Sequence, residues 1–275
     1  GENARLTIRN RLAEIYCCPP EDISLHPSGM SALACALEAI NELRPNKPTL
    51  QLGFPYVDVL KLPQEIFQGS HLLLEHDLDH IATELDHKQP SAVIVELPSN
   101  PMLQCIDLPQ VSKLAHERGI PLIADDTIGS AVNINALPFA DLIFSSLTKS
   151  FAGRGDILAG ALVISPESHW KKELLQICST NNSTPLADAD SIALEEASKD
   201  IKTRLISLNK ACLSLKQRLD THPQVARVLH PESCVNFQTL MRPGAGHGCL
   251  LSFELIGGLA KAKRVYNALE VCKGP

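Results

Sequence analysis

A chain of 275 residues that is 44% hydrophobic can bury a sizeable core, as one large domain or two ordinary ones. No window approaches the roughly 20 apolar residues of a membrane-spanning helix, and the opening GENARLTIRNRL lacks a signal-peptide apolar core, so a soluble protein without a membrane partner is expected. A net charge of −6, mixed in sign and without a basic run, argues against nucleic acid as a partner.

The cysteines are scattered: Cys17, Cys18, Cys35, Cys105, Cys178, Cys212, Cys234, Cys249 and Cys272. Their number is odd, and no CxxC pair or Cys/His cluster has metal-ligand spacing. Reduced thiols in core positions, a cytoplasmic location and no metal site are the expectation.

From about residue 22 onward, short apolar runs alternate with amphipathic segments. The first marked segment is HPSGMSALACAL, residues 26–37, which opens a helix predicted over Gly29–Leu43. A strand, a Ser-Gly turn and an Ala-rich helix leave the N–H groups of Gly29 and Met30 free to hold an anion such as phosphate. Ser28 can equally be a plain N-cap, and His26 before it reads as a structural histidine. Neither GxGxxG nor GxxxxGK[ST] is present, which removes support for a dinucleotide site or a P-loop.

Strands are then predicted over Thr49–Gly53, His71–Glu75 and Ala92–Leu97, with a helix over Leu78–Lys88 between the last two. ELPSNPML, residues 96–103, follows directly. Its prolines flank a Ser-Asn pair in a rigid turn that can present Asn100 to a ligand hydroxyl; a plain turn would look the same. After a predicted helix over Leu108–Glu117, the strand Leu122–Asp125 ends in PLIADDTIG. Asp125 stands where a buried side chain would be, able to pair with a ring nitrogen cation. Asp126 is the better candidate for a cap at the strand end.

The strand Leu142–Ser146 leads into SSLTKSFAGRGD. Lysine is almost never buried without a partner. Lys149 follows the hydroxyls of Ser146 and Thr148, suiting an amine nucleophile beside an anion site, or a surface lysine in a Ser-rich loop. A strand over Ala161–Ser165 and a helix over Glu167–Ile177 come next. A polar stretch, Ser179–Asp190, precedes one long helical pattern from about Ile192 to Asp220. VARVLHP, GCLLSFEL and the helix-like Leu259–Leu269 suggest the start of a smaller α+β domain. Apolar strands alternating with helices imply an α/β fold around a mostly parallel sheet buried on both faces, with ligands beyond the carboxyl ends of the strands.

The segments SGM, ELPSNP, DDT and SLTK resemble, in order and spacing, the Cys/Met-metabolism family of PLP-dependent enzymes with the aspartate-aminotransferase fold (fold type I). GFPYVDVLKL and DDTIG look most like the fungal-type cystathionine γ-synthase branch. The resemblance implies a PLP-binding large domain over 1–195, and a linking helix with part of a C-terminal α+β domain over 196–275. It implies that Lys149 holds pyridoxal 5′-phosphate (PLP) as a Schiff base and shuttles protons, and that Asp125 binds the pyridine nitrogen. Gly29, Met30, Ser146 and Thr148 would hold the phosphate, Asn100 would contact the ring hydroxyl, and Thr127 joins the set through the DDT motif. The family's ring-stacking tyrosine is displaced here, leaving Tyr56 or Phe54 as candidates. A phosphate-binding Tyr-x-Arg from the neighbouring subunit would lie before Gly1, and the arginine for the substrate carboxylate after Pro275, as in an excerpt of a longer enzyme.

The implied function is γ-replacement on an activated homoserine ester, O-acetyl- or O-succinylhomoserine, with cysteine as the usual nucleophile. The implied assembly is a homodimer or homotetramer with shared sites. A β- or γ-lyase, a homoserine sulfhydrylase or a secondary-metabolism relative forming C–C or C–N bonds shares the same motifs. A non-catalytic scaffold subunit with this fold is the alternative of a different class.

Overall fold

The computed structural model describes residues 1–74, 77–181 and 184–271. Glu75, at the end of one predicted strand, part of the Ser179–Asp190 stretch (residues 182–183), and Cys272 lie outside them. In chain order the elements are α1 (Glu2–Tyr16), β1 (Ile23–His26), α2 (Gly29–Leu43), β2 (Thr49–Leu52), α3 (Val57–Ile66), β3 (Ser70–Leu73), α4 (Leu78–Lys88) and β4 (Val93–Glu96). They continue with α5 (Leu108–His116), β5 (Leu122–Asp125), β6 (Leu142–Ser146), β7 (Gly160–Ile164), α6 (Lys171–Asn181), α7 (Asp188–Ala197) and α8 (Ile201–Asp220). The last are β8 (Val225–Leu229), α9 (Val235–Leu240), β9 (Ser252–Leu255) and α10 (Gly258–Ala268).

Seven strands form one sheet in the order β1-β7-β6-β5-β4-β2-β3. β7 runs antiparallel to both its neighbours, and the remaining pairings are parallel. Side chains along a strand alternate between faces, and each face here meets its own helical layer. Val93 and Val95, Leu122 and Ala124, and Ala161 and Val163 join the core that contains Ile8 of α1, Leu85 of α4 and Val111 of α5. Ile94, Ile123, Phe144 and Leu162 face the opposite layer, with Leu33 and Ala36 of α2 and Leu174 of α6. That two-sided burial is why the strands read as continuous apolar runs rather than alternating ones.

This alternation sets the site. Continuing each strand by period two sends Glu96, Asp125 and Ser146 to the α2 face. Asp126 goes to the α1 face. The parallel strands all end on one edge, where β1 delivers the chain into α2. β8 and β9 form a separate two-stranded antiparallel sheet.

The helical pattern expected to run unbroken from Ile192 to Asp220 is instead two helices, α7 and α8, parted at Ser198–Asp200. Arg11 of α1 donates to Glu195 O at 2.8 Å and also to the Ser198 hydroxyl. The end of α7 thus finds its partners in α1 rather than in further helix. The helix predicted over Glu167–Ile177 begins later, at Lys171, after a turn closed by Ser168 N–H to Ser165 O at 3.1 Å. No helix among the described residues is long and apolar enough to cross a membrane. The eight described cysteines are free thiols.

Candidate active site

A cavity of about 230 Å³ opens at the carboxyl edge of the sheet. Lys149, Gly29, Met30, Asn100, Asp125, Thr127, Ser146, Thr148 and Tyr56 all line it. The structure therefore brings these nine residues, expected from the sequence to hold the cofactor, to one place. Ser28, Val59, Glu96, Ile128, Phe144 and Leu158 complete the lining.

The anion-binding end is built by α2. Ser28 caps it: its hydroxyl accepts from Ser31 N–H at 3.1 Å, and its own N–H donates to the Ser31 hydroxyl at 2.9 Å. The first intrahelical bond is Ala32 N–H to Ser28 O, which leaves the N–H groups of Gly29 and Met30 directed outward. Both roles considered for this turn thus coexist.

Gly29 packs against the end of β6: a β-carbon on it would stand 3.0 Å from Ser146 Cβ. Gly160, opening β7, approaches still closer, since a β-carbon there would lie 2.2 Å from Ser28 O. Gly160→Ala is therefore expected to push the start of α2 outward and to cost about 1–3 kcal/mol. Thermal unfolding checks this, with a midpoint several degrees lower; an unchanged midpoint would contradict the close approach.

Asp125 is buried. Thr127 N–H donates to its Oδ1 at 2.9 Å, and the Thr127 hydroxyl accepts from Ser146 N–H at 2.8 Å. Thr127 thus ties the ends of β5 and β6 together. Burial raises the Asp125 carboxyl to about 6, with the Thr127 hydrogen bonds holding it lower than burial alone would. Glu96 is its register partner across β4 and β5. Burial, then the neighbouring Asp125 charge, raises Glu96 to about 8, against the pull of a 2.8 Å hydrogen bond from Tyr56 N–H. Near neutral pH the pair therefore holds one negative charge, on Asp125.

Lys149 is exposed at the cavity, in a turn directly after β6. Asn100 is likewise exposed, in a turn closed by Ser99 N–H to Gln104 O at 3.0 Å. The Thr148 hydroxyl is engaged with β7: it accepts from Ala159 N–H at 3.1 Å and lies 3.3 Å from Ala159 O. Ser146 keeps its hydroxyl uncommitted among the described residues. Tyr56 reaches the cavity half exposed, at the N-terminus of α3; Phe54 is exposed and does not line it.

Two residues differ from expectation or were missed. Asp126, expected as a cap at the strand end, is 1% exposed on the α1 face, where Tyr16 O–H donates to its Oδ2 at 2.8 Å. Burial raises it to about 7, and its Oδ1 has no hydrogen-bond partner among the described residues. Glu96 was passed over, although AVIVE ends in an acid just as PLIAD does. His26 is structural as expected: it is buried, bonded to the Ser24 hydroxyl at 2.8 Å, lowered by burial to about 4, and does not line the cavity.

The donor set fits PLP. Two free helix-start N–H groups and a free serine hydroxyl suit a phosphate. A buried carboxylate raised by desolvation suits a cationic ring nitrogen, and a free primary amine stands at the same cavity.

The Cys/Met metabolism PLP-dependent enzyme family model matches residues 12–273. The chain is 33% identical over 268 residues to a cystathionine gamma-synthase of Neurospora crassa, covering 93% of this chain and 43% of that protein. It is 32% identical over 287 residues to an L-2-amino-4-chloropent-4-enoate dechlorinase/desaturase of Streptantibioticus cattleyicolor, covering 100% of this chain and 57% of the relative. This chain thus spans about half the length of these relatives. A solved cystathionine gamma synthase from Xanthomonas oryzae pv. oryzae, in complex with aminoacrylate and cysteine, superposes with a TM-score of 0.82 over 98% of this chain and 70% of that one. At 23% identity that likeness shows the fold, type I with a mostly parallel sheet. With its model matched over nearly the whole length, the chain belongs to the Cys/Met metabolism PLP-dependent enzyme family.

Proposed function

We propose that the full-length protein is a cystathionine γ-synthase-like transferase, performing γ-replacement on an activated homoserine ester with cysteine as nucleophile. The observation that carries this is the convergence of Lys149, Asp125 and the α2 N-terminus on one cavity, in a member of a PLP-dependent family. PLP, when bound, supplies an electron sink for a carbanion beside an amino group.

The chain's own residues do the rest. Gly29 and Met30 N–H and the Ser146 hydroxyl hold the phosphate, and the Asp125 carboxylate holds the ring nitrogen protonated. Asn100 orients the ring hydroxyl, and Tyr56 covers the ring. Lys149 Nζ would be the covalent anchor; once released, it would take the proton from the substrate α-carbon, pass it on to the bound cofactor, and, neutral again, take one from the β-carbon so that the γ-substituent can leave. Val59, Ile128, Phe144 and Leu158 exclude water from the apolar side of the cavity. The same reading carries a PLP-binding large domain over 1–195, a linking helix with part of a C-terminal α+β domain over 196–275, a homo-oligomer with shared sites, and the reducing cytoplasm suited to free thiols.

A second reading, elimination rather than replacement, draws on the relative whose name is a dechlorinase/desaturase. Incubating full-length protein with O-acetylhomoserine, with and without cysteine, separates the two by product mass. Cystathionine in the presence of cysteine is expected; 2-oxobutyrate without an adduct would favour elimination.

A further inference from the structure

The turn that presents Lys149 closes on itself through Ala152 N–H to Leu147 O at 2.9 Å and Gly153 N–H to Lys149 O at 2.8 Å. Leu147, Phe151 and Ala152 are buried, which anchors one side of the turn in the core. The other side is gripped from α8. Arg204 Nη2 donates to Phe151 O at 2.7 Å and to Ser150 O at 3.2 Å. Its Nη1 donates to Ala197 O at 3.2 Å and pairs with Asp200, which orients the guanidinium. Gly153 sits at φ 72°, and a β-carbon there would stand 2.6 Å from Arg204 Nε. The guanidinium therefore occupies the space a side chain at position 153 would need.

We propose that Arg204 is a positioning residue for Lys149. By bonding the carbonyls of the two residues that directly follow Lys149, it fixes the main chain from which the amine reaches the cavity, and it couples α8 to the site. A planar fork bonds two neighbouring carbonyls at once, whereas a lysine ammonium is a compact charge without that fixed geometry. The catalytic part of the proposal rests on Lys149 being the cofactor lysine.

The test uses full-length protein with Arg204→Met, Arg204→Lys and, as a control, Arg118→Met. Arg118 pairs with Asp86, away from this turn. In cofactor-free protein, hydrogen exchange at Ala152 and Gly153 is expected to quicken about 10-fold in Arg204→Met, less in Arg204→Lys, and not at all in Arg118→Met. In loaded protein, Arg204→Met is expected to lower kcat by roughly 10- to 100-fold with KM nearly unchanged. Arg204→Lys keeps the charge and much of the stem, so it carries the test if Arg204→Met does not fold. Unchanged exchange at the turn, or equal quickening in Arg118→Met, overturns the clamp. Faster exchange together with a borohydride-fixed cofactor on another lysine leaves the clamp standing and overturns the cofactor reading.

Discussion

Lys149→Ala is expected to lower turnover of the full-length protein by roughly 10³-fold or more while leaving the fold intact. On the proposed function one amine serves as both covalent anchor and proton carrier, so no other group lining the cavity replaces it. The structural cost is small for a physical reason. Lys149 is exposed, and its amine makes no hydrogen bond or ion pair among the described residues. Unfolding free energy should therefore stay within about 0.5 kcal/mol of the parent. Lys149→Arg retains the charge but is not expected to form the covalent link, so it should fail equally. Steady-state kinetics beside thermal unfolding checks the pair of expectations. Retained turnover, or a large loss of stability, would count against them.

Asp125→Asn carries the second large effect, and it acts in two directions. An asparagine oxygen still accepts from Thr127 N–H, so the local geometry survives. The charge that holds the ring nitrogen protonated is lost, and activity should fall roughly 10²- to 10³-fold. The cofactor-free protein should become more stable. Burial raises Asp125 from its ordinary 3.8 to about 6. Between those values the folded form holds a proton that the unfolded form has released, so stability falls as pH rises through that window. Above about pH 6 the full deficit is present, and the gap between 3.8 and about 6 corresponds to about 3 kcal/mol. Asp125→Asn removes that deficit. Its advantage over the parent should be largest at pH 7–8 and fade as pH falls toward 4. Denaturant unfolding of the cofactor-free proteins across this range checks it; equal stability at pH 8 would contradict a buried carboxylate whose desolvation outweighs its Thr127 hydrogen bonds.

Much of the central sheet was legible because strands buried on both faces are apolar throughout, and their short length between turn residues separates them from buried helices. The cavity was legible for a different reason. Its polar residues follow strand ends directly, so the motifs that read as chemistry are also those that topology gathers on one edge.

What escaped notice was set by tertiary contact. α1 buries Ile8, Leu12, Ile15 and Tyr16 beneath a heavily charged opposite face, so no apolar run marks it. α3 contains Pro63, an ordinary helix breaker, and buries only Val59 and Pro63. The interruption between α7 and α8 depends on Arg11, nearly two hundred residues away in sequence. Asp126 and Asp125 are adjacent identical letters, yet the pleat sends one to Tyr16 and the other to the cavity. Strand parity alone could have separated them, and it would have placed Glu96 beside Asp125 as well.

The most direct test is to load the full-length protein with PLP, reduce it with borohydride, digest it and locate the fixed cofactor by peptide mass. The fixed cofactor is expected on the peptide containing Lys149, with the visible band lost on reduction and no such adduct in Lys149→Ala. A cofactor fixed to a different lysine, or none fixed at all, would contradict the assignment of this cavity as the PLP site.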